Sequence, residues 1–256
     1  MDTSDIMDGL VEPAELAGGL GEPASGPSEQ PGDLTEPQDE LIEPMDEFFK
    51  ARLDFYDEHM LTGVEELPEA YIEFAQHFPP DTKSLLDLGC GTGLELEQLF
   101  VRFPDLKVTG IDLSQAMLDR LREKFPNKPI ELICASYLDY DFGFERYDVA
   151  ASFESLHHLD HAQKLALYQA ILRAIQPGGS YLEADYMVAS QAEEDHWLAE
   201  NRRLRATQGI GMDELCHYDT PLTVSNQKLL LEQAGFYPVD EVWRVGATSI
   251  LVARKP

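Results

Sequence analysis

Residues 84–100 read SLLDLGCGTGLELEQLF. A short apolar run stops at Leu88, glycines follow at Gly89, Gly91 and Gly93, and a helix-like pattern starts at Leu94. Glycine takes positive φ without a Cβ penalty and lets another group approach bare main chain. A strand that turns into a helix through such a loop places the loop at the carboxyl edge of a parallel sheet, where open α/β sheets bind ligands.

The rest of the chain agrees with that architecture. Apolar runs SLLDL (84–88), KVTGID (107–112), IELIC (130–134), YDVAASF (147–153) and SYLEADY (180–186) alternate with helical patterns over 94–101, 115–124 and 161–175. The alternation predicts right-handed βαβ units and a parallel sheet. Ser114 is placed as an N-cap, and Asp160 stands three residues before Gln163 as in a capping box. QPGG at 176–179 is expected to end the preceding helix and turn the chain into the next strand. Ser190 and Glu193 predict a second capping box, on a helix running to about Thr207 and closed by Gly209. After the loop GIGMDELCHYDTPLT come a helix over 224–234 and strands within FYPVDEVWRV and TSILVARK. Gly246 and Ala247 join those strands as an antiparallel hairpin at the sheet edge. Ahead of the sheet, Phe48, Leu53, Tyr56 and Met60 recur at helical spacing, and EELPEAYIEFAQHF predicts a second helix.

Charge bounds the partners. The formal net charge is -29. Residues 1–44 carry -12 of it, with six prolines, six glycines and no aromatic residue, so they read as a disordered acidic tail. The remaining 45–256, read as one domain, carry -17 (-29 + 12). That surface repels phosphate backbones and anionic membranes, which argues against nucleic acid and membrane as partners. No apolar run approaches the ~20 residues of a membrane helix, and the N-terminus lacks the basic and apolar regions of a secretory signal. Three cysteines (Cys90, Cys134, Cys216) without a CxxC pair fit a reducing compartment. The expectation is a soluble cytoplasmic protein with a small-molecule substrate, and a homodimer is left open.

The glycine spacing is GxGxG, not the GxGxxG of a dinucleotide fingerprint. Asp112 closes the next strand nineteen residues after Gly93, where a carboxylate can accept hydrogen bonds from both hydroxyls of a ribose. The segment D-x-G-C-G-T-G (87–93) resembles motif I of class I S-adenosylmethionine (SAM)-dependent methyltransferases. GIDLSQAML (110–118), YDVAASFESLHHL (147–159) and LRAIQPGGSYLEADY (172–186) resemble the later motifs in order, and the likeness covers 45–256.

The resemblance implies an α/β fold with a Rossmann-like seven-stranded sheet in the order 3-2-1-4-5-7-6. Strand 7 is antiparallel, helices cover both faces, and the N-terminal helices form a lid. It implies SAM as cofactor: Gly89, Gly91 and Gly93 against the methionine part, Asp87 on its amino group through water, and Asp112 on the ribose. Leu113 and Met117 would flank the adenine, Ser136 would meet it through its backbone, Ser152 would face the sulfonium, and Tyr56 would close over the cofactor. The acid that often reads the adenine amino group is replaced by Ala135, with Asp139 and Asp141 as nearby substitutes.

Transfer of the SAM methyl is an in-line displacement, so alignment and water exclusion matter most. Glu154, His157 and His158 are the candidate catalytic bases. No HxxxH spacing is present, so no metal is expected. The insert 187–222 is the expected substrate lid, with Trp197, Arg202, Arg203 and Tyr218 as candidate substrate residues beside Arg205, His217 and Asp219. Acids first and bases last on its helix also suit the helix dipole alone. The C-terminal part, HYDTPLTVSNQKLLLEQAGFYPVDEVWRV and TSILVA, is similar to carboxy-SAM synthases of tRNA wobble-uridine modification. The readings left open are a small-molecule methyltransferase, a carboxy-SAM synthase or tRNA-modifying relative, and a non-catalytic SAM-binding regulator that acts through the tail.

Overall fold

The computed structural model describes residues 41–212 and 214–256. The expected disordered tail lies outside the described residues except for its last four. Those four correct its boundary: Ile42 is buried, and Glu43–Pro44 form a short strand, β1. From there the order is α1 (Met45–Glu58), a π-turn (His59–Gly63), α2 (Leu67–Gln76), β2 (Ser84–Leu88), α3 (Leu94–Arg102), β3 (Lys107–Asp112), α4 (Gln115–Lys124) and β4 (Ile130–Cys134). Then follow β5 (Tyr147–Phe153), α5 (His161–Ala174), β6 (Ile175–Tyr186), α6 (Gln191–Gln208), β7 (Cys216–His217), α7 (Val224–Ala234), β8 (Val239–Val245) and β9 (Thr248–Arg254).

Seven strands form one sheet in the order β4-β3-β2-β5-β6-β9-β8. Numbered among themselves they run 3-2-1-4-5-7-6, as the resemblance implied. Neighbours from β4 through β6 pair in parallel, and β9 runs antiparallel to both β6 and β8. The strands read as apolar runs because both faces are covered. Leu85, Val149 and Ala151 face Phe74, Phe78 and Leu99 of the α2–α3 side. Leu86, Leu88 and Ala150 face Tyr168, Ile171 and Leu231 of the α5–α7 side.

The helix ends follow the caps expected of the sequence. Ser114 accepts from Met117 N, and both capping boxes, Asp160–Gln163 and Ser190–Glu193, are complete. The edge hairpin turns at Gly246, with Val245 opposite Thr248. QPGG departs from expectation. It does not precede the strand but lies within β6, as an irregularity where pairing jumps from Tyr147↔Ile175 to Val149↔Ser180. Gly178, at φ 79, lets the strand absorb the extra residues.

A second sheet was not foreseen. β1 pairs antiparallel with β7, Glu43 against His217 and Pro44 against Cys216. It fastens the segment before α1 to the insert, over a small core of Ile42, Leu204, Cys216 and Tyr218 with Trp197 packed against it. Among the described residues no helix is long and apolar enough to cross a membrane.

Candidate active site

The glycine turn leaves β2 with Gly89, Gly91 and Gly93 at φ 71, 47 and 73. Gly89 N and Cys90 N both donate to Ile111 O, at 2.8 and 3.2 Å, which fixes the turn over the end of β3. A Cβ on Gly89 would collide with the Ser155 hydroxyl. A Cβ on Gly91 would meet nothing nearer than the Tyr56 hydroxyl, 3.9 Å away, so bare main chain faces open space there.

Asp112 ends β3 beside this turn. Its Oδ2 accepts from Gly91 N (2.9 Å) and its Oδ1 from Ser114 N (2.8 Å). Burial raises its pKa, and the N–H groups of Ser114, Gly91 and Leu113 work against that rise. Capping is only part of its role, because the N-cap of α4 is Ser114 itself. Two backbone bonds leave further lone pairs on the carboxylate, and Asp112 lines a cleft of about 640 Å³, part of it open to solvent.

Gly89, Gly91 and Asp112 line that cleft together. Leu113, Met117, Ser136 and Tyr137 form one side, with Ala135 among them, and Tyr56, Phe49 and Asp46 of α1 cover it. Glu154, Ser155 and His158 also line it, and Tyr137 OH donates to Ser155 O at 3.1 Å. Among the described residues no lysine or arginine lines it.

Seven expected cofactor residues, Tyr56, Gly89, Gly91, Asp112, Leu113, Met117 and Ser136, meet at the cleft. Three do not line it. Gly93 packs against Leu121 as the N-terminal cap of α3. Ser152 is buried, with its hydroxyl 2.7 Å from that of Tyr181, because the strand pleat turns it to the α5–α7 side. Asp87 is 1% exposed, and its Oδ2 has no hydrogen-bond partner. Burial above all, with the charge of Asp112, pushes its carboxyl up to about 7, against the lowering effect of a hydrogen bond from Glu95. Glu95 is pushed up as well, again by burial first.

The acid–base candidates divide. Glu154 lines the cleft at φ 47, a left-handed backbone rare for a side chain of its size. Burial above all pushes it up to about 8, and the neighbouring His157 holds it lower than burial alone would. His157 lies behind the cleft wall, Nδ1 2.5 Å from Asp185 Oδ1 and Nε2 3.6 Å from Asp219 Oδ1. Burial would lower its pKa, but Asp185, Asp219 and Glu154 together outweigh burial and raise it to about 9. His158 reaches the cleft, and burial, then the charge of His157, lowers its pKa.

The four expected substrate residues all lie off the cleft. Trp197 and Tyr218 pack on each other under the β1–β7 ribbon, ring centroids 6.1 Å apart. Arg203 pairs with Glu200 at the surface, and Arg202 lines a separate groove between α6 and α7. Arg205 braces the insert through Gly211 O and Glu214 O. The apolar stripe of α6 sets this orientation: Leu198 and Leu204 turn inward and the exposed arginines turn out.

The insert instead brings Leu215 to the cleft. It also places His217 face to face with Phe48 of α1 (3.3 Å between centroids) and Asp219 beside both histidines. Sequence reasoning missed Asp185, Tyr137 and Ser155, whose neighbours are distant in the chain. It also missed Asp57, which accepts from Thr92 Oγ1 (2.5 Å) and pairs with Lys124 (3.2 Å), so pinning α1 over the turn.

Residues 85–179 match the family model of the methyltransferase domain. A carboxy-S-adenosyl-L-methionine synthase of Helicobacter hepaticus is 26% identical over 213 residues, 77% of this chain and 88% of that protein. An O-methyltransferase of Penicillium expansum is 30% identical over 167 residues, 63% of this chain and 55% of that protein. Human N-acetylserotonin methyltransferase, solved in complex with SAM, superposes with a TM-score of 0.56 at 19% identity, covering 83% of this chain and 60% of that one. Over residues 85–179 the chain carries a methyltransferase domain, and beyond it the chain is similar in sequence to a carboxy-S-adenosyl-L-methionine synthase and in fold to a methyltransferase solved with SAM.

Proposed function

We propose that the protein transfers the methyl group of SAM to a small-molecule acceptor held between α1 and the insert. The observation that carries this reading is Asp112, held by two backbone N–H groups at the end of β3 and opening onto a cleft floored by Gly89 and Gly91. In this reading Asp112 accepts from the ribose hydroxyls, and Leu113, Met117 and Ser136 hold the adenine. The unpartnered oxygen of Asp87 takes the ammonium of the methionine part through water.

The sulfonium is a good leaving group, so the chain's work is alignment and water exclusion. Tyr56 and Phe49 cover the cofactor from α1, and Glu154, which lines the same cleft, receives the proton the acceptor gives up. Three free cysteines support the cytoplasm as its location.

The likeness to the Helicobacter hepaticus synthase raises a second reading, a carboxylated cofactor. The lining speaks against it, because a buried carboxylate needs a cationic partner and the cleft presents acids instead. A tRNA acceptor meets the same objection at the scale of the surface, which carries -17 over 45–256.

The test is to incubate the purified full chain with SAM and fractionated metabolites, following S-adenosylhomocysteine release and the mass gain of one CH2 on an acceptor. Asp112→Ala should weaken SAM binding on the order of 100-fold by calorimetry, since two buried hydrogen bonds to the ribose are lost. Unchanged affinity in that variant overturns the reading.

A further inference from the structure

We infer that His157, His158 and Asp219 form a binding site for a divalent transition metal, Zn2+ being the ion whose coordination fits them. His157 Nε2 lies 3.6 Å and His158 Nδ1 3.2 Å from Asp219 Oδ1, and the three ligand atoms lie within 4.8 Å of one another. Zinc bound at its usual ligand distances in a tetrahedron separates neighbouring ligand atoms by about 3.4 Å, whereas an octahedral ion of similar size separates them by about 3.0 Å. The two Asp219 edges, 3.6 and 3.2 Å, straddle the tetrahedral value.

Four further observations point to an ion. His157 Nδ1 is engaged by Asp185 at 2.5 Å, which turns Nε2 toward Asp219. A carboxylate behind a ligating histidine is the usual support of a zinc site. His158 is 7% exposed, and its Nδ1, though close to Asp219, makes no hydrogen bond there. A buried nitrogen aimed at a carboxylate off the hydrogen-bond line is what a shared ion would satisfy.

The third observation is charge. Glu154, Asp185 and Asp219 crowd around His157, and among the described residues no lysine or arginine pairs with any of the three. Asp185 is buried and the other two are half-buried, so three carboxylates share one histidine, an excess of negative charge that a bound cation would offset. The last is rigidity. Thr220 donates through its backbone N–H (2.5 Å) and its hydroxyl (3.0 Å) to His157 O, so Asp219 is tied to the histidine loop.

No ligand spacing in the chain announces this site, because two ligands are adjacent and the third lies far along the chain, in the insert. Two imidazoles and one carboxylate leave a fourth position, as in catalytic zinc sites. Asp219 is 36% exposed at its side chain, and His158 stands on the cleft wall, so water or an acceptor heteroatom has access.

The experiment uses the full chain without a polyhistidine tag, dialysed against a chelator and titrated with Zn2+ by calorimetry and with Co2+ by visible absorption. The expected result is one equivalent per chain and a tetrahedral Co2+ spectrum without a thiolate charge-transfer band. Asp219→Asn and His158→Gln should each weaken binding on the order of 100-fold, and Asp185→Asn by about 10-fold or more. Cys134→Ser, which removes an exposed thiol, should change nothing. Circular dichroism and thermal melting check that each variant is folded. Absence of stoichiometric binding by the wild type, full affinity in folded Asp219→Asn, or a thiolate band overturns the site. SAM affinity measured on the same samples reports separately on the cofactor reading.

Discussion

Two glycines of one turn do different work. Gly89 has a left-handed backbone and no room, because a Cβ there meets Ser155, whereas Gly91 has the same backbone hand and open space before it. Gly89→Ala is expected to lower stability by about 1–3 kcal/mol, seen as an earlier midpoint in urea. Gly91→Ala should lose less stability and instead abolish SAM binding, because its methyl would occupy the cleft. Comparable losses of both properties in the two variants would contradict this assignment.

Asp87 makes a second test at the same scale. Burial raises its pKa from the ordinary 3.8 to about 7, so between those values the folded state holds a proton that the unfolded state has released. The carboxyl therefore stabilises the fold fully below about 4, and that contribution is lost as pH rises through about 7. Asp87→Asn should flatten the fall in urea midpoint between pH 4 and 8, while SAM binding weakens. An unchanged pH profile would show that the burial of Asp87 carries no such penalty.

These residues were legible because the turn is local: glycine spacing and the acid at the next strand end are written within thirty residues. Ser152 was misplaced because the sequence locates the end of β5 but not which face of the pleat its last residues take, and Ser152 turns to Tyr181. The neighbours of His157 were invisible for a related reason, since Asp185 and Asp219 reach it only through sheet pairing and the fold of the insert.

At the scale of elements, α1 is a cover held by its edges. None of its residues is fully buried, and Phe55 is largely exposed. Its fastenings are Asp57 to Thr92 and Lys124, Phe48 on His217, and Met45 N to Leu215 O (3.2 Å). Partly exposed ion pairs contribute little to global stability, so Asp57→Ala should leave the melting midpoint almost unchanged. It should speed release of bound SAM, measured by stopped flow, because affinity changes mostly through the off-rate. An unaltered off-rate would mean that α1 does not gate the cleft. Helices, caps and the edge hairpin were readable from periodicity and turn chemistry. β1 and β7 were not, because strands of two residues carry no period and their pairing joins the segment before α1 to the distant insert.

For the whole molecule, the sheet order and the place of the cleft follow from strand–helix alternation and the right-handed crossover, so the sequence sufficed to anticipate them. The acceptor was not legible, since the insert's expected substrate residues turned out to be core and surface. Removing residues 1–40 should leave SAM affinity and turnover intact, because among the described residues those that line the cleft begin at Met45. Loss of turnover in that truncation would move the tail into the catalytic unit. Truncation to residue 45 should differ, as it deletes Ile42 and β1 with the ribbon they support.

That ribbon has a kinetic consequence. Because Glu43–Pro44 and Cys216–His217 are hydrogen-bonded to each other, the roof above the nucleoside and the side where a second molecule docks are stitched into one piece. Under the proposed function the two would move together, and discharge of the spent nucleoside and admission of the next guest would be yoked to a single opening event.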